Sequence, residues 1–86
     1  MVGQRSTIQQ QYNRALQIAE FIIEGGHLVE DVTEEFRISK TTYHNDMRLL
    51  YSYGYGAELK RNQMLYLKTR IALQNEKNRR QREKRE

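Results

Sequence analysis

Thr41, Thr42, His44, Asn45 and Arg48 fall within one short stretch, with Ser39 and Lys40 just ahead of them. Their hydroxyl, imidazole, amide and cationic groups are the kinds that hydrogen-bond to base edges and phosphates. A second set, Lys77, Arg79, Arg80, Arg82, Lys84 and Arg85, stands in the run EKNRRQREKRE from Glu76 to Glu86, six basic residues among eleven and no hydrophobe. Its arginines suit bidentate pairing with phosphate better than the point charge of Lys does. The chemistry on offer is recognition, not bond-making. The chain has no Cys, so disulfides, thiolate ligands and Cys nucleophiles are excluded. His27 and His44 lie in different segments without a HExxH-type spacing, so no metal or cofactor site is expected. No Ser or paired carboxylate is spaced around His44 as a nucleophile or an acid–base couple would be, and the chain is not expected to be an enzyme.

Charge is divided unevenly along the 86 residues. Residues 1–59 hold five Lys/Arg against eight Asp/Glu, and residues 60–86 hold ten against three, together giving the net +4. A basic segment joined to a mildly acidic body is the distribution expected when one part of a chain meets a polyanion and the rest folds, and it makes double-stranded DNA the leading partner. The longest uncharged apolar run, around Phe21 to Ile23, is far short of the roughly 20 residues that span a bilayer, and the N-terminus lacks the apolar core of a signal peptide. A soluble, cytoplasmic protein is expected.

The elements that must position these groups are helical. After Met1 to Arg5, which has no periodicity and should fray, Ser6 or Thr7 can cap a helix in which Ile8, Tyr12, Ala15, Leu16, Ala19, Ile22 and Ile23 recur at steps of three and four. Gly25-Gly26 should end it near Glu24. A second helix, VEDVTEEF, turns Val29, Val32 and Phe36 inward and Glu30, Asp31, Glu34 and Glu35 outward, with acids in the first turn where the helix dipole favours them. In the turn Arg37-Ile38-Ser39, Ile38 is a buried aliphatic and Ser39 an N-cap. The third helix then buries Tyr43, Met47 and Leu50 and leaves Lys40, Thr41, Thr42, His44, Asn45 and Arg48 outward. Tyr51 to Gly56 reads as a Gly-punctuated loop whose tyrosines cover the edge of the core. A fourth helix from about Ala57 shows Leu59 or Lys60, then Met64, Leu67 and Ile71, a stripe expected to pack on the first helix.

These elements predict a small all-α domain with a long N-terminal helix, a helix-turn-helix over Leu28 to Leu50, a C-terminal helix and a basic tail. The expected division is a DNA-binding domain over residues 1–73 and a basic extension over residues 74–86, either a solvated continuation of the fourth helix or a disordered arm. The recognition helix, residues 39–50, would enter the major groove, while the acidic face of the second helix points away from phosphate. Asp46 is the one acid on the recognition helix, expected beside the Lys40 side or as a capping group.

The string EEFRISKTTYHNDMRLL resembles the helix-turn-helix of the stage III sporulation protein D family, small bacterial transcription factors in which the motif reads much like EFGVSKSTVHKDL. Glu35, Phe36, Ser39, Lys40, Thr42, His44 and Asp46 match it, and SK-x-T-x-H-x-D is the specific part. Arg14 to Glu24 is similar to that family's first helix and Tyr66 to Arg80 to its C-terminal helix and basic extension, so the likeness covers about residues 12 to 80. It implies a regulator that binds promoter DNA as a monomer, with the recognition helix in the major groove and the segment Lys77 to Arg85 on nearby DNA. Three positions depart from the pattern. Arg37 stands where the family has Gly, Thr33 where a small Ala lets the two helices approach, and Tyr43 where a Val is buried. If the backbone at Arg37 has φ > 0, a side chain there costs about 1 kcal/mol.

A rival reading is a helical adaptor for a protein partner such as RNA polymerase, using the acidic face of the second helix, with incidental nucleic-acid affinity. RNA binding is disfavoured because no strand-borne aromatic pattern of an RNA module is present.

Overall fold

Thr7 opens the described chain as a helix cap: its hydroxyl accepts from the Gln10 amide at 3.1 Å while the Gln10 side chain accepts from the Thr7 amide at 3.0 Å. This reciprocal box satisfies two of the donors that a helix start leaves unpaired. The computed structural model describes residues 7–85, with side chains through Glu83, so the Ser6 cap and the fraying of residues 1–5 lie outside the described residues. Four helices follow: α1 (Ile8–Ile23), α2 (Val29–Phe36), α3 (Lys40–Ser52) and α4 (Gly56–Arg85). Among the described residues there is no strand, and no helix is long and apolar enough to cross a membrane. The protein is a small all-α domain.

The core is built where α1 meets α3 and α4. Tyr12, Ala15, Ile18, Ala19 and Ile22 of α1, Val32 of α2, and Tyr43, Met47 and Leu50 of α3 are buried together. Ile18 joins the stripe expected for α1, whereas Ile8 and Ile23, at its two ends, are exposed. Helix α1 closes at Gly25, whose φ of 99° lies in the left-handed region open to glycine. The Leu28 amide then donates to the Asp31 carboxylate at 2.8 Å, so the acid in the first turn of α2 is itself a cap.

Between α2 and α3 the backbone turns at Arg37, which has φ 55° and ψ 49° and is the one described non-glycine residue with positive φ. The Ile38 amide reaches back to the Thr33 carbonyl at 3.1 Å, the long-range bond of a Schellman closure, and Ile38 packs on the core beyond it. Thr33 turns its hydroxyl onto the Glu30 carbonyl at 2.8 Å, which satisfies it within α2.

The fourth helix runs without a break from Gly56 to Arg85, so of the two forms expected for the basic segment it takes the first, a continuation of α4. Its inward face is not the expected one. Asn62, Thr69 and Glu76, seven residues apart, are buried, with Leu65, Tyr66, Ala72 and Leu73 partly buried beside them. Met64, Leu67 and Ile71, the stripe expected to pack on α1, are exposed by 56%, 47% and 61%. The rotation follows from bonding that an apolar count does not register. Asn62 accepts from the Tyr12 hydroxyl at 3.0 Å and donates to the Tyr53 carbonyl at 3.1 Å, and the Thr69 hydroxyl donates to the Leu65 carbonyl at 2.8 Å. Polar groups whose hydrogen bonds are satisfied can be buried at little cost.

Of the three loop tyrosines, Tyr53 stacks on Tyr12 with centroids 4.0 Å apart and covers the core edge as expected. Tyr51 ends up inside α3, edge-on to Tyr66 at 5.0 Å. Tyr55 is 92% exposed and covers nothing, contrary to the expectation for the loop.

Candidate nucleic-acid interface

Ser39 begins the candidate surface as the N-cap of α3, its hydroxyl accepting from the Thr42 amide at 3.1 Å and donating to the Thr42 hydroxyl at 3.1 Å. Both residues therefore spend their short side chains on the cap, and Thr42 is half-buried. Lys40, Thr41, His44, Asn45 and Arg48 are exposed on the remaining face of the helix. His44 leans edge-on against Tyr43 with centroids 5.1 Å apart, which orients the imidazole without covering it. Tyr43 is buried, and burial, with Tyr66 nearby, pushes its phenol up to about 12, so it remains neutral at any physiological pH.

Asp46 is turned away from that face. Its carboxylate is fully buried and takes two bonds from Arg14 of α1, Nε to Oδ2 at 2.6 Å and Nη2 to Oδ1 at 3.0 Å. The fork geometry joins the middle of α1 to the middle of α3, and the hydrogen bond to Asp46 raises the Arg14 guanidinium further above its ordinary value. Asp46 is thus neither a Lys40 neighbour nor a cap. With it inside, the outward face of α3 presents cationic and neutral groups alone.

The basic set on α4 is divided by its partners. Glu76 sits under two guanidiniums, accepting from Arg79 Nε at 3.0 Å and Arg80 Nε at 2.6 Å, and Arg79 also pairs with Glu83. Arg80 continues across to the start of α2, donating to the Gly26 carbonyl at 3.1 Å and lying 3.4 Å from the Asp31 carboxylate. Hydrogen bonds from Arg79 first, then from Arg80, hold the Glu76 carboxyl down at about 2, well below its ordinary 4.5. The cover over Glu76 consists of these charged side chains, which is why an almost hidden carboxylate stays ionised. Arg79 and Arg80 therefore serve first as internal partners, a role their sequence context did not reveal. Lys77 and Arg82 are exposed. Lys84 and Arg85 belong to the last turn of α4, and their side chains lie outside the described residues.

One residue that sequence reasoning passed over joins the surface. Arg70 lies over the Tyr66 ring, 6.0 Å from its centroid, and lines a groove with Arg48, Tyr51, Tyr66 and Leu67. Lys77 is seven residues on from Arg70 and lines the neighbouring groove with it. Cations from α3 and α4 thus meet along one edge, Arg48 then Arg70 then Lys77. The signal available was the spacing of Arg70 and Lys77, which two helical turns bring to one side of α4.

The chain matches no protein-family model, no curated protein and no solved structure.

Proposed function

We propose that this protein is a sequence-specific, DNA-binding regulator of transcription that lays α3 in the major groove. The observation that carries the reading is the sorting of charge on α3. The single acid of that helix is buried on Arg14, while Lys40, Thr41, His44, Asn45 and Arg48 remain exposed together. A major groove about 12 Å wide accepts one helix, and Asn, His, Thr and Arg side chains supply base-edge contacts there. Arg48, Arg70 and Lys77 extend the same surface onto α4 as phosphate contacts, with Arg82 and the last turn of α4 reaching further along the duplex. The string SK-x-T-x-H-x-D, shared with the stage III sporulation protein D family, supports the same use of the helix, and a monomer with a bacterial developmental role is part of this proposal.

Selection of bound duplexes from a random pool, followed by sequencing, tests the reading. An enriched motif that survives competition with bulk DNA is the expected result. A pool that remains random, with equal affinity for selected and scrambled duplexes, would overturn the claim of a specific regulator and favour an adaptor with incidental affinity.

A further inference from the structure

The side of α4 that faces away from the core carries a second apolar stripe. Met64, Leu67 and Ile71 follow one another at steps of three and four, so they form a single row two helical turns long, and all three are exposed among the described residues. Beside the row runs a shallow groove of about 530 Å³ lined by Leu67, Arg70, Ile71, Leu73, Gln74 and Lys77. An exposed row of this length on a helix otherwise rich in charge has no role in the fold described above, because the core of α4 is made by the opposite side.

The rim says what would cover it. Lys60 precedes the row, Lys68 flanks it on one side and Arg70 and Lys77 on the other, and residues 59–75 contain no Asp or Glu. We propose that this face is a docking surface for an acidic amphipathic helix of a partner protein, whose apolar side chains lie against Met64, Leu67 and Ile71 and whose carboxylates meet the basic rim. Anchors at i, i+3 and i+7 are the spacing by which one helix grips another. A second copy of the chain is the poorer occupant: two such faces set antiparallel bring Lys60, Lys68, Arg70 and Lys77 of one α4 toward those of the other, with only Glu20 and Glu24 of α1, which line a groove with Lys68, to offset them, and like charges across a helix pair cost affinity. DNA phosphate would pair with the rim but leave three apolar side chains against a polar backbone. A lipid surface needs a broader apolar face than one row. The inference does not rest on the DNA reading: Arg70 and Lys77 border both surfaces, but the apolar row Met64, Leu67 and Ile71 has no part in that reading, so the peptide titration and the duplex selection can fail separately.

The full-length chain is titrated with a synthetic helical peptide of about five turns, one face Leu and the flanks Glu, and with its Lys-flanked twin. The expected result is that the acidic peptide shifts the methyl resonances of Met64, Leu67 and Ile71, binds at least tenfold more tightly than the twin, and weakens with added salt. Leu67→Glu with Ile71→Glu should abolish that binding while leaving the thermal midpoint unchanged, since both positions are exposed. Lys60→Glu with Lys68→Glu should reverse the preference toward the Lys-flanked twin. Equal binding of the two peptides, shifts confined to other residues, or sedimentation of the free chain as a dimer that the Ile71→Glu change dissolves would each overturn the proposal. So would perturbation of the same methyls by anionic vesicles in place of the acidic peptide.

Discussion

Arg14 and Asp46 form the contact on which the candidate surface depends most directly. A carboxylate with no solvent exposure is tolerable only because two N–H groups of one guanidinium satisfy it. Removing one partner of such a pair costs about 3–5 kcal/mol, because the other is left buried and uncompensated, whereas replacing both with apolar groups of similar volume is often neutral. Arg14→Met should therefore lower the unfolding free energy by about 3 kcal/mol, and adding Asp46→Leu should restore most of it, as read from urea midpoints at constant m-value. If the double variant is as unstable as the single, the pair is not coupled as described. Arg37 carries the opposite kind of burden. Its left-handed backbone, φ 55°, costs a non-glycine residue about 1 kcal/mol, so Arg37→Gly should raise the urea midpoint by a corresponding amount with no change in slope.

Helix by helix, the sequence was readable where side-chain type and burial coincide, and unreadable where they part. The Ser39 cap, the paired glycines after α1 and the Tyr43, Met47, Leu50 stripe each follow from one residue type doing what its chemistry favours locally. Helix α4 breaks that coincidence. Its buried positions are Asn, Thr and Glu, made tolerable by Tyr12, by a backbone carbonyl and by two arginines that no local rule connects to them, while its best apolar row faces outward. The same helix yields a pH prediction. Glu76 has a folded-state pKa of about 2, depressed from 4.5, so what it contributes to the docking of the end of α4 is fully present above pH 4.5 and is lost as pH falls through 2. Acidification from 5 to 2 should release Arg80 from the Gly26 and Asp31 side, seen as loss of amide protection around residues 76–80, and Glu76→Gln should show that loss already at neutral pH.

Across the whole molecule, the proposed function assigns the groups that choose a sequence and the groups that supply affinity to different helices, and this division can be measured. His44 and Asn45 stand on α3 without acidic neighbours on their face, so replacing either by Ala should remove about 1–3 kcal/mol of discrimination between preferred and scrambled duplexes while changing the salt dependence little. Arg70 and Lys77 stand on α4, one lining the groove that holds Arg48 and both lining the next, and in the proposed function they contact phosphate. Replacing either by Ala should weaken binding to every sequence alike and reduce the slope of log K against log[salt] by roughly 0.9. Arg80 should behave unlike both. Because it is bonded to Glu76, Gly26 and Asp31, Arg80→Ala should lower the thermal midpoint first and alter the salt slope less than Lys77→Ala does. A set of salt titrations on two duplexes, with melting curves for each variant, separates the three behaviours. If Arg80→Ala proved as stable as the parent chain and lost a full unit of slope, its internal bonds would be interchangeable with phosphate, and the basic end of α4 would act as one uniform arm instead of a helix locked against the turn between α1 and α2.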